Sequence, residues 1–452
     1  MPGSAVLQQE TRERLRTLIR AIEARPLPPA TAVARAPIED ASLLDGGPPA
    51  GSWDGAIRRQ VASGWLTYRE EHFDLDTHEV GRQPLAALRH AGAASLGLLS
   101  PSGEAAEARL EELLFLDIET TGLGGAGAMV FLVAVAHVEG TTLRMRQYLA
   151  ESPAEEGPLL DALLGDVHEA IADPVLVTYN GRAFDAPMLD GRATLHRRRA
   201  GFESLRHIDM LPPARQLYRG WLPSCRLVEV ESRVMGVTRP SADVDGAEVP
   251  AWYFRFLRSG DMRFVAPIAS HNLLDVLSLA GFLGRVAAFL EDVAQPEAHE
   301  ALGLGRLLGR HAPLRAMRAY QGAIADLADG DDDYDGYEGG RPARVEALWR
   351  LSLLHKRHGL IEDAAGCWRE LTRQHGPWSL RAHEELAKFL EHRARDLPGA
   401  TTVVEGALAH LDACEDVAVG APGGLGADRW RQAFHHRLDR LTSRAASTPL
   451  RT

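Results

Sequence analysis

Four carboxylates occur in a fixed order along the chain: Asp117 and Glu119 in LFLDIETTGL, Asp185 in TYNGRAFDAPML, and Asp275 in SHNLLDVLSL. An all-oxygen donor set of this kind suits hard divalent cations such as Mg²⁺ or Mn²⁺. Two such ions ~3.5–4 Å apart can activate a water and stabilise the leaving oxygen of an in-line displacement. Without cations, four crowded acids repel one another and partly protonate. The pattern therefore points to hydrolysis of a phosphodiester, with nucleic acid as the substrate class.

The elements around these residues must bring them together. Leu113-Leu114-Phe115-Leu116 reads as a buried strand. Residues two apart in a strand share a face, so Asp117 and Glu119 point one way while Ile118 returns to the core. A second apolar run, Val175 to Tyr179, ends in a turn at Asn180-Gly181, which puts Asp185 in the first turn of a helix. That is the carboxyl end of a strand, where open α/β sheets place ligand sites. Pro267 to Phe282 reads as a helix on which His271 and Asp275 lie four apart on one face. Leu273, Val276, Leu277 and Ala280 supply its buried side. Taken singly, a D-x-E pair, a turn capping a helix and a helical acid are all ordinary structure. Their combination in this order, each at an element boundary or on a helix face, favours a metal site.

On these residues the chain resembles the DEDD superfamily of 3′–5′ exonucleases, and within it the YprB-type branch. The matching strings include FLDIETTGLGGAGAMVFLVAVAHVEG, LVTYNGRAFDAPML, HIDMLPPARQLYRGWLPSCRLVEVESRVMGVTRPSADVDGAEVPAWYFRFLRSGD and HNLLDVLSLA, and they cover roughly Leu113 to Phe282. The resemblance implies a ribonuclease H-like α/β fold with a mixed sheet flanked by helices. It implies that Asp117, Glu119, Asp185 and Asp275 ligate two ions, with Asp117 bridging. It places Thr120, Thr121 and Leu123 around the terminal nucleotide and Asn180 beside the bound strand. Related enzymes carry Tyr four residues before the last Asp, or His five before it. This chain has His271 four before Asp275, the residue type of one subgroup at the spacing of the other. An imidazole there could act as a general base on the attacking water.

The chain has 452 residues, 45% hydrophobic and 25% charged, which fits two or three soluble domains. No apolar run reads as a membrane span and no signal peptide is evident, so no membrane partner is expected. Cys225, Cys367 and Cys414 form no C-x-x-C pair, which argues against zinc or a disulfide framework and suits a reducing cytoplasm. The net charge of −12 argues against a general nucleic-acid coat. Between Ala186 and Val228, however, eight arginines face three acids. Arg197 and Arg198 are read there as contacts to a phosphate backbone. The competing reading is compositional, because Lys356 and Lys388 are the chain's two lysines and Arg carries nearly all its positive charge.

Three regions follow. Residues 1–110 read as an extension, with an amphipathic helix over Glu10–Ala24, a loose linker over Arg25–Gly51 and strand-like pieces over Trp65–Leu88 that pack on the catalytic domain. Residues 111–290 form that domain, with further strands over Met129–His137 and Leu143–Leu149, a helix over Pro158–Ala172, and a short helix and turn over Arg255–Phe264. Residues 296–452 are helical. There Ala301, Leu302, Leu307 and Leu308 recur as Ala347, Leu348, Leu353 and Leu354, while Ala316, Tyr320 and Ala323 recur as Ala364, Trp368 and Leu371. This resembles a tetratricopeptide-type helix pair, stretched beyond the usual ~34 residues by the acidic run DGDDDYDGYEGG. A third copy runs through Leu386, Leu390, Ala400 and Ala407, and a plain helical bundle is the alternative. In the acidic run, Asp331, Asp333 and Asp335 fit the start of an EF-hand loop, but Pro342 stands where its bidentate Glu belongs, which excludes calcium sensing. Asp209, Asp243 and Asp245 read as turn formers, with support of the metal ligands as the alternative.

The expectation from sequence is a metal-dependent 3′–5′ exonuclease acting on a single-stranded 3′ end, with a helical tail that takes a protein partner or extends the nucleic-acid track. A scaffold that binds metal weakly, and an endonuclease on the same fold, remain alternatives.

Overall fold

The computed structural model describes residues 53–100, 103–122, 127–240, 243–327, 343–374, 377–413 and 426–446. The Glu10–Ala24 helix, the Arg25–Gly51 linker, Leu123, the acidic run and Cys414 lie outside them.

The centre is a seven-stranded mixed sheet in the order β1-β2-β7-β6-β5-β8-β9. β5 (Leu113–Thr120), β8 (Val175–Thr178) and β9 (Arg206–Asp209) run parallel. β6 (Val130–Glu139) and β7 (Thr142–Leu149) form the antiparallel meander beside β5. Beyond it, β1 (Ile57–Val61) and β2 (Gly64–Asp74) extend the same sheet, since β2 pairs with β7 over eight residues. β3 (Glu79–Val80) and β4 (Gln83–Pro84) make a separate small ribbon.

Alternation along β5 divides the core between the two faces of the sheet. Leu114, Leu116 and Ile118 join one apolar layer with Leu159, Leu160 and Leu163 of α2 (Glu156–Ala170); α1 is the short helix Ala93–Leu99. Leu113 and Phe115 join the other layer, with Val276, Leu279 and Phe282 of a long helix, Ala266–Leu290. Asp117 and Glu119 share the parity of Leu113 and Phe115 and so face that long helix. Each large apolar side chain buried this way contributes about 1.5–3 kcal/mol.

The remaining helices of this region are α3 (Asp185–Leu195), α4 (Leu211–Tyr218), α5 (Leu227–Val230), α6 (Val249–Ser259) and the long helix, α7. α6 starts earlier than its sequence pattern indicated, and α7 runs eight residues further. The segment Met262–Leu290 is long and apolar enough to cross a membrane, contrary to the sequence reading, with mean hydropathy 1.8. Its apolar window is 78% buried inside the protein, which makes it a core helix.

The tail continues as α8 (Ala298–Leu308), α9 (Pro313–Asp326), α10 (Ala343–Arg357), α11 (Ile361–Leu371), α12 (Pro377–Phe389), α13 (Leu397–Ala413) and α14 (Ala427–Ala446). Each packs on the next, and α8 also packs on α4 of the sheet region. Residues 51–452 thus form one compact unit. The repeated positions are mostly interior: Ala316, Tyr320 and Ala323 are buried, as are Ala364, Trp368 and Leu371. Leu353 departs from the pattern, at 45% exposed.

Candidate metal centre

Three elements carry the four carboxylates. β5 presents Asp117 and Glu119, and its pairing with β6 shifts register between Glu119 and Thr120. Such an irregularity bends a strand end and re-aims its side chains. Thr120 and Thr121 form the turn that follows: the Thr120 hydroxyl donates to Gly122 O at 2.8 Å, and the Thr121 Oγ1 accepts from Met129 N at 3.0 Å.

Asp185 opens α3 after the Asn180-Gly181 turn. Asn180 adopts φ 70°, a left-handed conformation that Asn tolerates. A Cβ on Gly181 would lie 2.5 Å from Thr178 Oγ1 and 2.7 Å from Asp185 Oδ2, so glycine is required by close approach. Asp209, at the end of β9, holds the turn: its Oδ1 accepts from Asn180 N at 2.8 Å and from Leu211 N at 3.0 Å, and its Oδ2 from Arg182 N at 3.3 Å.

Asp275 comes from α7, one turn after His271. Between them, Asn272 is fully buried and fixes β5 to α7. Its Nδ2 donates to Asp117 Oδ2 at 2.7 Å and to Asp117 O at 3.2 Å. Its Oδ1 accepts from Gln147 Nε2 at 3.1 Å, and Gln147 also donates to Ala269 O at 2.7 Å. Strand register explains the reach: Asp117 pairs with Ala134, which pairs with Gln147.

The carboxyls converge closely enough to disturb one another. Asp117 is pushed well above the ordinary carboxylate range, first by burial, then by the charges of Asp275, Glu119 and Asp185. Glu119 is pushed up to about 8 by burial, with Asp275 and Asp185 next. Asp185 is pushed up to about 7 by burial, against stabilising backbone hydrogen bonds from its own N–H and that of Ile118. Such a cluster calls for positive charge, and its oxygen chemistry fits Mg²⁺ or Mn²⁺.

A protein cation takes part of that role. Arg239 bonds Asp275 Oδ1 through Nη2, Glu231 through Nε at 2.6 Å, and Asp243 through Nη1 at 3.3 Å. Glu231 is almost fully buried and leads a π-helical turn, Glu231–Met235, of a kind that often marks functional sites. His271 belongs to this network. Its Nδ1 stands 2.8 Å from both Arg239 Nη1 and Asp243 Oδ1 and can satisfy one of them at a time, while Nε2 is 3.7 Å from Asp275 Oδ2. Among the described residues, no three His, Cys, Asp or Glu side chains close into a ready cage for an ion. The acids share one electrostatic neighbourhood, with Arg239 holding one of them.

Arg239, Glu231, Asn272 and Gln147 escaped the sequence reading. All four lie within the strings that carry the family resemblance, Gln147 as the first residue of QYLAESPAEE, so only the roles were hidden. Asp243 does both: its N–H donates to Pro240 O in a turn at 2.9 Å, and its carboxylate anchors His271. Arg198 pairs with Asp161 on α2, through Nη2 at 2.6 Å, and donates to His196 O. It follows the carboxyl end of α3, about 15 Å along that helix from Asp185. Arg197, beside it, is exposed and adopts φ 60°. The arginine excess was real, but ion pairs absorb much of it, including Arg192–Glu156 and Arg206–Asp173.

Residues 114–286 match the family model of the RNase H superfamily. Over 302 residues the chain is 32% identical to "Uncharacterized protein YprB" of Bacillus subtilis (strain 168), covering 66% of this chain and 69% of that protein. Among solved structures it is similar to exonuclease I in its apo form, with 11% identity over 68% of this chain and 99% of that one. The TM-score of 0.20 is too low for that likeness to carry any argument.

Proposed function

Because the chain belongs to the RNase H superfamily, in the family of YprB, we propose that it is a divalent-metal-dependent nuclease, acting as a 3′–5′ exonuclease on a single-stranded end and releasing nucleoside monophosphates. The convergence of Asp117, Glu119, Asp185 and Asp275 into one mutually repelling group supports this most directly. A pure scaffold has no use for four such acids.

Those four residues would hold two ions, Mg²⁺ or Mn²⁺. The ions would supply charge neutralisation and activation of water at the scissile phosphorus. The chain's own groups do the positioning. Asn272 fixes the rotamer of Asp117, Asp209 fixes the turn bearing Asp185, and Arg239 competes with the cations for Asp275. His271, steadied by Asp243, accepts a proton from the attacking water. Thr120, Thr121 and Asn180 line the place of the terminal nucleotide. Residues 111–290 act as the catalytic domain, after the 1–110 extension. The tail over 296–452 is tetratricopeptide-like and offers its surface to a protein partner. The free thiols of Cys225 and Cys367 suit a reducing compartment such as the cytoplasm.

A second reading has its own observation. With Arg239 on Asp275, the protein could be a scaffold that holds metal weakly. Mn²⁺-dependent degradation of a labelled single strand, by wild type and by Asp117→Ala, separates the two. Loss of cleavage in the variant supports catalysis, whereas equal inertness of both supports the scaffold. A circular strand left intact supports the exonuclease, and a nicked circle an endonuclease.

A further inference from the structure

Beside the site, where α4 of the sheet region meets the tail, lies a cleft of about 670 Å³. It is lined by Arg182, Arg219, Arg306, Arg310, Arg350 and Arg357, against the single acid Asp209. Two of these arginines are structural. Arg306 pairs with Glu346 at 2.7 Å and donates to Gln216 O and Arg219 O, which ties α8 to α4 and α10. Arg350 shares the same carboxylate at 2.6 Å. Arg182 pairs with Glu104 at 2.7 Å. Arg219, Arg310 and Arg357 have no ion-pair partner among the described residues. Counting Glu346 and Glu104 with Asp209, six guanidinium groups meet three carboxylates. This concentration stands out in a chain of net charge −12.

The rest of the lining is mixed: Leu98, Leu307 and the half-exposed Leu353 give it apolar surface, and Ser100, Gln216 and His311 add polar groups. Cations beside apolar surface are what a nucleic-acid strand requires, with phosphates on the arginines and bases against the hydrocarbon. The volume is that of a small-ligand pocket and has room for one or two nucleotides. The cleft is also coupled to the acids. Arg182 and Asp209 line it, and Asp209 holds the turn that positions Asp185.

We propose that this cleft between the sheet domain and the helical tail is a second binding site for single-stranded nucleic acid, which holds backbone phosphates away from the scissile bond. The tail thereby contributes to substrate binding through Arg310 and Arg357. The substrate class rests on the nuclease reading, but the cleft's geometry does not.

The test is the full-length triple variant Arg219→Gln/Arg310→Gln/Arg357→Gln, with a fluorescent oligothymidylate of about 15 nucleotides as probe. Binding is followed by anisotropy in EDTA, which needs no turnover. The variant should bind about tenfold more weakly, and its log–log salt slope should fall by about 2, near 0.7 per lost phosphate contact. Hydrolysis of bis(p-nitrophenyl) phosphate with Mn²⁺ should stay within about twofold of wild type, since none of the three arginines touches the acids. In the wild type, a 4-thiothymidine probe should photocross-link to peptides spanning 307–311 or 350–357, a readout that needs no variant. Unchanged affinity and slope in a folded variant, or cross-links confined to other surfaces, overturn the proposal. So does an oligoglutamate peptide that binds more tightly than the oligonucleotide and is lost in the same variant. If the wild type never hydrolyses a phosphodiester yet the triple variant loses the oligonucleotide, the nuclease reading falls and the cleft stands.

Discussion

Arg239 reaches Asp275 with one end of its guanidinium while its Nε donates to the buried Glu231 at 2.6 Å. The same side chain therefore satisfies a structural acid and competes with any cation for a candidate ligand. Glu231 sits above the ordinary carboxylate range because burial outweighs Arg239's pull, so it depends on that partner. Arg239→Ala should destabilise the fold by about 3–5 kcal/mol, the usual cost of leaving one member of a buried pair alone. Urea unfolding in EDTA measures this directly. Arg239→Ala combined with Glu231→Leu should recover much of the loss and bind Mn²⁺ more tightly by calorimetry, because Asp275 is then free. Weaker Mn²⁺ binding in the double variant would show Arg239 to be an organiser of the site rather than a competitor.

The raised carboxyls set a pH dependence. In the folded protein Glu119 releases its proton near 8 and Asp185 near 7, above their ordinary values of 4.5 and 3.8. The folded state thus binds more protons than the unfolded one across this window, and stability falls as pH rises. The contribution is complete below about pH 4 and is lost as pH climbs through the folded values. In EDTA, the urea midpoint should decline steadily between about pH 5 and pH 8. Divalent ions should flatten the curve by holding the ionised forms, and their binding at neutral pH should release protons. Calorimetry in buffers of different ionisation enthalpy counts those protons. A metal-free midpoint that rises with pH would show that the carboxyls are ionised in the apo protein.

Asn272 makes a separate expectation, because it is buried and bridges Asp117 and the buried Gln147. Asn272→Leu strands the Nε2 of Gln147 with one partner and removes the donor that orients Asp117. The stability cost should be about 1–3 kcal/mol, read from urea unfolding. Asp117 also loses a bond that favours its ionised form, so Mn²⁺-dependent cleavage of a labelled single strand should fall with kcat and leave KM nearly unchanged. Asn272→Gln, which keeps the amide, should restore stability better than activity, because one extra methylene moves the donor away from Asp117.

What was legible in the sequence is what periodicity and turn chemistry control. Alternation after Leu113–Leu116 located β5 and the shared face of Asp117 and Glu119, and the apolar run before Asn180-Gly181 located β8 and the start of α3. The meander of β6 and β7 followed from two adjacent apolar-rich runs. The relations hidden from sequence are those made by long-range packing. Arg239 is 36 residues from Asp275, and Asn272 is 155 residues from Asp117. No local spacing reports such pairs. The partners of the arginines in 192–226 are hidden for the same reason, since the acids that pair with Arg192 and Arg198 sit on α2, far back in the chain. The free arginines of the cleft come from three separate segments, around Arg219, Arg310 and Arg357, which only the docking of α8 on α4 brings together.

Gly181 offers the sharpest local test of the site. It stands between Thr178 and Asp185, and its N–H donates to Thr178 Oγ1 at 3.1 Å. In Gly181→Ala the added methyl would meet the Thr178 side chain at 2.5 Å and the Asp185 carboxylate at 2.7 Å, so both must move. Thr178 is fully buried, and its Oγ1 lies 2.8 Å from His207 Nε2, so it cannot yield easily. Asp185 is the group that gives way, rotating from the direction set by its bonds to the backbone of Ile118 and its own N–H. The fold should lose about 1–3 kcal/mol, as overpacked sites do. Mn²⁺ affinity should drop by more than that stability change alone would produce, since a ligand is misplaced. The control is Gly191→Ala on the same helix, where a Cβ meets nothing within 4 Å. That variant should match wild type or gain a little helix stability, with unchanged Mn²⁺ binding. If Gly181→Ala binds Mn²⁺ as the wild type does, Asp185 is not a ligand.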